Sequence, residues 1–148
     1  MNAAPRILIV DDEPRMCESL QALLAGRDYE VRTARSGTEA MGRLAEGRFD
    51  VAVLDLYMPD MTGHELMERI FDRGGGTLVI VITGNASVDS AVRALKRGAY
   101  DFIKKPFEFD EFLKTIQNAL EQQRLQHQTR EMNGRLALSE ERYRYLVR

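Results

Sequence analysis

Tryptophan is absent from this chain of 148 residues, cysteine occurs once, histidine twice and proline four times. A single cysteine excludes a disulfide framework and a thiolate metal centre. Cys17 stands among Met16, Leu20 and Leu23, where a thiol reads as a small buried hydrophobe and not as a nucleophile. No apolar stretch approaches the roughly 18 residues that a membrane helix needs, and the N-terminus lacks the apolar core of a signal peptide. The expected location is cytoplasmic, without membrane contact. A strong charge of one sign is missing too: the formal net charge is -2, and a nucleic-acid or anionic-membrane surface needs a concentrated basic field.

What is present is an ordinary core composition, 44% hydrophobic, in a strongly ordered pattern. From Arg6 to about Leu120, apolar runs alternate with helical patterns five times, the arrangement of a parallel sheet covered by helices on both faces. Ile7 to Val10, Val51 to Leu54 and Leu78 to Ile82 are continuously apolar, as strands buried on both faces must be. Tyr29 to Thr33 and Tyr100 to Lys104 are more polar and belong at the edges. The expected fold class is therefore α/β, a doubly wound five-stranded parallel sheet in the order 2-1-3-4-5.

Punctuation supports the intervening helices. Pro14 suits a first helical turn, because its missing N–H has no partner there in any case. Ser36 with Glu39 and Thr62 with Glu65 have the spacing of a capping box, while Gly47, Gly74 and Gly98 can serve as C-terminal stops. Val88, Ala91, Val92 and Leu95, at i, i+3, i+4 and i+7, define one stripe expected to be buried. Gly74 to Gly76 precedes a strand instead of a helix, so it is expected to be a mobile loop and not a phosphate cradle. Beyond Leu120 the composition shifts to Gln, Arg and Glu. Leu125, Thr129, Met132, Leu136, Ser139, Tyr143 and Leu146 alternate spacings of four and three, a weak heptad that predicts a helical linker able to pair with a copy of itself. Gly134 weakens that helix by about 1 kcal/mol relative to alanine. The domain reading is residues 1–122 as the folded domain and 123–148 as a coiled-coil linker.

In a doubly wound sheet the functional crevice opens at the carboxyl ends of the strands, where strand order reverses. Asp11 and Asp12 end the first strand and Asp55 ends the third, so three carboxylates converge on that point. Two unit charges about 4 Å apart repel by about 4 kcal/mol at an effective dielectric near 20, and a divalent cation is the simplest remedy. Carboxylate oxygens suit Mg²⁺, which keeps several waters and takes a phosphate oxygen to complete its octahedron. Thr83 after the fourth strand and Lys105 after the fifth complete a phosphoryl-transfer site: Asp55 as nucleophile, Asp11 and Asp12 to hold the cation, Lys105 and Thr83 to meet the phosphoryl oxygens.

The stretches IVDDE (Ile9 to Glu13), VLDLYMPDMTG (Val53 to Gly63), ITG (Ile82 to Gly84) and GAYDFIKKPF (Gly98 to Phe107) strongly resemble, in this order and spacing, the receiver domain of two-component response regulators. The resemblance covers about four fifths of the chain. It implies that Asp55 accepts phosphate from a sensor histidine kinase, a phosphotransfer protein or a small phosphodonor. It implies further that Asp12 is the direct Mg²⁺ ligand, that Asp11 acts largely through water and that the Tyr57 backbone carbonyl completes the shell. Lys105 matches the family lysine, Pro106 is expected to follow a cis bond, and Phe102 matches the aromatic that swings inward when Thr83 moves toward the phosphoryl group. Two hydrogen bonds to a charged group, at about 1.5 to 3 kcal/mol each, nearly supply the about 5.5 kcal/mol that carries a two-state equilibrium from 1:99 to 99:1. The readout is then the face of the fourth helix, fifth strand and fifth helix, where a partner or second copy docks. Tyr57 and Asn85 match positions that flank the acyl phosphate, and a bulky Tyr57 predicts slow self-dephosphorylation.

Rival readings are weaker. His64 reads as a surface residue beside Gly63. His127 lies in LQHQTRE, which lacks the His-Glu/Asp-x-x-Thr/Asn-Pro pattern of a kinase phosphoacceptor helix. An aspartyl-phosphate phosphatase needs DxDx, whereas Asp55 is followed by Leu56 and Tyr57. The chain is therefore read as a receiver that catalyses its own phosphorylation and dephosphorylation and turns over no other substrate. The ending SEERYRYLVR resembles the lead-in to a PAS domain, which implies a larger receiver-PAS protein or hybrid sensor kinase; a stand-alone receiver with a helical tail, or the receiver of a transcriptional activator, is the alternative.

Overall fold

In the computed structural model, which describes residues 4–84 and 88–147 and the side chains of 4–84 and 89–128, five strands pair in parallel. They are β1 (Arg6–Val10), β2 (Glu30–Ala34), β3 (Val51–Asp55), β4 (Leu78–Thr83) and β5 (Asp101–Lys104), in the order β2-β1-β3-β4-β5. The helices are α1 (Pro14–Ala25), α2 (Gly37–Glu46), α3 (Gly63–Arg73), α4 (Val88–Lys96) and α5 (Phe109–Val147). The order and the edge positions of β2 and β5 follow the sequence expectation.

Period-2 alternation divides the core. Leu8, Val10, Ala52, Leu54, Val79 and Val81 pack to one side with Leu44, Leu66, Met67 and Ile70 from α2 and α3. Ile7, Ile9, Val51, Val53, Ile80 and Ile82 pack to the other with Leu20 and Leu24 of α1 and Phe112 and Ile116 of α5. Each fully buried aliphatic side chain contributes about 1.5 to 3 kcal/mol, so a one-residue slip of register would reverse both layers at large cost. Register is what levels the site: Val10 pairs with Leu54 and Asp55 with Ile82, which sets Asp11 beside Asp55.

The predicted caps form. Ser36 Oγ accepts from the Glu39 N–H at 3.0 Å and Thr62 Oγ1 from the Glu65 N–H at 3.1 Å. The reciprocal arm of the first box falls one residue early, on the Arg35 N–H, at 3.1 Å from Glu39 Oε2. Gly74, Gly75 and Gly76 all have positive φ, a conformation that favours glycine. They are tied down: Arg48 Nε donates to the Gly75 carbonyl at 2.7 Å, and the buried Gln123 of α5 donates to that of Gly76.

The stripe expected on α4 is the point of difference. Ala94 is fully buried and Ala91 half-buried, but Val92 and Leu95 are 41% and 45% exposed. The two alanines, having no bulk, let the helix approach the sheet closely, and the larger residues turn to solvent. Burial of Val88 lies outside the described side chains, as do the heptad positions from Thr129 onward and the SEERYRYLVR segment; Leu125, its first position, is 47% exposed.

Candidate functional site

The carboxyl end of β1 delivers Asp11, whose own N–H is held by the Ala34 carbonyl at 3.0 Å. Its Oδ1 accepts the Glu13 N–H at 2.9 Å, so this acid also shapes the entry to α1, where Glu13 provides no side-chain cap. Asp12, the next residue, is exposed, while Asp11 and Asp55 are buried. One oxygen from each of the three lies within 4.8 Å of the others. Asp55 Oδ1 accepts the Tyr57 N–H at 3.1 Å. The loop then returns to α3 through Gly63, whose N–H bonds the Leu56 carbonyl at 2.8 Å.

Lys105 closes the site from β5. Its Nζ lies 2.8 Å from Asp11 Oδ2 and 3.4 Å from Asp55 Oδ2, and its N–H reaches the Thr83 carbonyl at 3.0 Å. Lys104, the residue before it, is exposed. The Lys105–Pro106 bond is cis. Burial pushes the Asp55 carboxyl up; the Tyr57 N–H and the Lys105 charge oppose this, and the neighbouring Asp11 adds to it. Burial alone would lower Lys105, but the hydrogen bond and charge of Asp11, with the charge of Asp55, raise it on balance. The ammonium thus serves two acids, sits closer to Asp11, and leaves Asp55 costly to ionise.

Three hard oxygen donors of this kind fit Mg²⁺, and the fit is to the donor set: carboxylates alone, no thiolate or imidazole. Thr83, at the end of β4, is buried, and Phe102 on β5 is half-buried against the α3–α4 side of the core. Asn85 lies outside the described residues. Cys17 is buried behind the acids with Sγ 3.3 Å from the Asp11 carbonyl; burial, then the Asp11 charge, pushes its thiol up to about 11, which removes it as a nucleophile.

Two site neighbours were not foreseen. Asp60, in the loop after Asp55, accepts the Gly37 N–H at 3.0 Å and the Thr38 N–H at 2.8 Å, so it caps α2 from another segment. The Tyr57 hydroxyl is 3.1 Å from Ser90 Oγ on α4. Neither contact has a local sequence signature, because each joins segments more than 20 residues apart.

A parallel sheet in this order with its acids at the reversal point is the CheY-like member of the doubly wound class. Residues 7–117 match the response regulator receiver domain, and the chain belongs to that family, the receivers of two-component signal transduction. It is 40% identical over 119 residues to the transcriptional regulatory protein ZraR of Klebsiella oxytoca, covering 80% of this chain and 27% of that protein. It is 38% identical over 128 residues to the nitrogen assimilation regulatory protein NtrX of Azorhizobium caulinodans, covering 85% and 28%. The chain thus spans little more than a quarter of the length of these relatives. Among solved structures it is similar to the beryllofluoride-activated NtrC4 receiver domain dimer, with a TM-score of 0.75, 44% identity and coverage of 80% of this chain and 98% of that one. It is also similar to the response regulator TrrA of Thermotoga maritima in complex with Mg²⁺-BeF, with a TM-score of 0.70, 32% identity and coverage of 78% and 99%. No helix among the described residues is long and apolar enough to cross a membrane.

Proposed function

We propose that this chain is a phosphoacceptor switch in which Asp55 is the residue modified. The observation that carries the reading is the Lys105 ammonium placed 2.8 and 3.4 Å from Asp11 and Asp55, with Asp12 alongside. An Asp55 carboxylate oxygen attacks phosphorus of a phosphohistidine or small phosphodonor, the bond from phosphorus to its donor atom breaks, and an acyl phosphate forms. Asp12, Asp11, Asp55 and the Tyr57 carbonyl would hold Mg²⁺, which would neutralise the crowded acids and the incoming phosphoryl charge. Lys105 then moves its charge to a phosphoryl oxygen and the Thr83 hydroxyl donates to another. Phe102 follows Thr83 inward.

The output face on this reading is α4-β5-α5. Val92 and Leu95 are exposed there beside Arg93, Lys96 and Arg97, and the first turn of α5 offers exposed Phe109 with Asp110 and Glu111. A second copy complements that pairing of cations with acids around apolar residues, which supports a homodimer through this face or through the C-terminal helix. The upstream partner is a sensor histidine kinase or phosphotransfer protein, and the compartment is the cytoplasm.

Two outputs compete. The PAS-like ending favours a receiver-PAS or hybrid kinase protein, while the similarity to ZraR and NtrX favours a receiver that governs a transcriptional regulator. The reading frame of the parent gene separates them. The chemistry itself is tested by incubation with Mg²⁺ and acetyl phosphate, followed by intact mass and sedimentation. Wild type gains one phosphate and Asp55→Ala none; equal labelling of both overturns the assignment.

A further inference from the structure

The Tyr57 phenol ties the segment following the phosphoacceptor to α4 by a side-chain hydrogen bond. Tyr57 follows Asp55 by two residues, and its N–H is already fixed on Asp55 Oδ1 at 3.1 Å. The residue is 47% exposed, so packing restrains its ring on one side only. A directional restraint comes from its hydroxyl, 3.1 Å from Ser90 Oγ. Ser90 stands seven residues beyond Thr83, in the first turns of α4. The bond therefore runs from the β3 lip of the crevice to the β4 lip, between the two segments that carry Asp55 and Thr83.

We propose that Ser90 is a positioning residue for dephosphorylation: through the Tyr57 hydroxyl it holds the aromatic ring beside the acyl phosphate and so sets how long phospho-Asp55 survives. The inference rests on the receiver reading given above and deepens it. In the hydrolysis step a water oxygen bonds to phosphorus and the bond from phosphorus to the Asp55 oxygen breaks. The electron pair returns to the carboxylate, the water proton passes to solvent, and inorganic phosphate leaves. The water must approach in line with the departing Asp55 oxygen, and a bulky ring held at that rim obstructs it. Without the bond to Ser90 the ring swings between solvent and crevice, and water enters for the fraction of time it is away. A single exposed hydrogen bond shifts such a balance roughly two- to fivefold.

The test loads wild type, Ser90→Ala, Ser90→Thr, Tyr57→Phe, Tyr57→Ala and the Tyr57→Phe/Ser90→Ala double variant with acetyl phosphate and Mg²⁺. The donor is removed and decay of the phosphorylated mass is followed. Ser90→Ala and Tyr57→Phe each speed decay roughly two- to fivefold, and the double variant decays no faster than the faster single variant, because the Tyr57–Ser90 bond is lost in all three. Ser90→Thr, which keeps the hydroxyl, restores the wild-type lifetime, and Tyr57→Ala decays fastest. The melting temperature and loading rate of Ser90→Ala stay at wild-type values, which a general loosening of α4 would not permit. A wild-type lifetime in Ser90→Ala, or multiplying effects in the double variant, overturns the proposal while leaving phosphorylation of Asp55 intact. A wild type that takes no phosphate on Asp55 overturns the receiver reading and this inference with it.

Discussion

Asp60 and Thr38 are 22 residues apart, yet Asp60 Oδ2 accepts both the backbone N–H and the hydroxyl of Thr38, each at 2.8 Å. With the Gly37 N–H on Oδ1 at 3.0 Å, the loop after Asp55 is fastened to the N-terminus of α2, where a negative charge is also favoured by the helix dipole. Those backbone donors pull the Asp60 carboxyl down to about 2 from an ordinary 3.8. Because the folded value is the lower one, its stabilisation is complete above the ordinary value and is lost as pH falls toward 2. Asp60→Ala should therefore lower the melting temperature equally at pH 5 and pH 7. It should also weaken Mg²⁺ binding, by up to about tenfold, because the loop that presents Asp55 and the Tyr57 carbonyl is released. Calorimetric titration with Mg²⁺ checks this, and Asp60→Asn, with one acceptor oxygen, should recover part of the loss.

On the proposed reading, Lys105 competes with Mg²⁺ for Asp11 and Asp55, which its Nζ already contacts at 2.8 and 3.4 Å. In Lys105→Met the acids lose their internal counter-charge, so Mg²⁺ should bind at least about fivefold more tightly, since unit charges about 4 Å apart interact by about 1 kcal/mol even in bulk water and by more at this buried site. Melting without Mg²⁺ should fall below wild type, and saturating Mg²⁺ should close most of that gap. Equal Mg²⁺ affinities would remove the competition argument.

The strands and the acids were legible in the sequence because both are local: an unbroken apolar run means burial on two faces, and a carboxylate that ends such a run must sit at the rim. Lys105 and Thr83 followed from topology once the strand order was set. The α4 stripe misled because i, i+3, i+4, i+7 spacing reports that apolar residues share a face, not that the core lies against it. Val92 and Leu95 share a face with the solvent, and it is Ala94 that meets the sheet. Asp60 and Ser90 had no signature at all, since their partners are brought near only by the closed fold.

Gly63 and Gly26 give opposite expectations for the same substitution. A Cβ on Gly63 would lie 2.5 Å from the Asp55 carbonyl oxygen and 2.7 Å from Leu56 Cα, backbone atoms that cannot turn aside. Gly63→Ala should cost about 1 to 3 kcal/mol and impair phosphate uptake, since Asp55 itself must shift. At Gly26 nothing stands within 4 Å and φ is -83°, so Gly26→Ala should be neutral or stabilise by up to about 1 kcal/mol. Urea titration of both variants distinguishes them.

His64 is half-buried at the start of α3, deeper than its sequence position suggested, and its Nδ1 is enclosed without a hydrogen-bond partner. Burial, followed by the charges of Arg97 and Arg93, holds the imidazole below its ordinary 6.5. The unfolded chain therefore takes up this proton first as pH falls, and His64 draws stability out of the fold from the ordinary value downward. His64→Gln should flatten the drop in melting temperature between pH 7 and pH 5 while leaving the value at pH 8 nearly unchanged. An identical pH profile in both proteins would show that His64 is not what is being titrated.

Leu95 should separate chemistry from output. Its side chain is 45% exposed and, with Val92, forms an apolar strip between Arg93, Lys96 and Arg97. Replacing it touches neither the acid cluster nor the buried side of α4, so Leu95→Asp should change stability by no more than about 0.5 kcal/mol and take up phosphate at the wild-type rate. An aspartate there removes apolar contact from any occupant and, in a symmetric pair, does so twice, so phosphate-dependent association should weaken at least tenfold in sedimentation equilibrium. Association that survives in Leu95→Asp would move the contact off α4, and the C-terminal helix would then carry it.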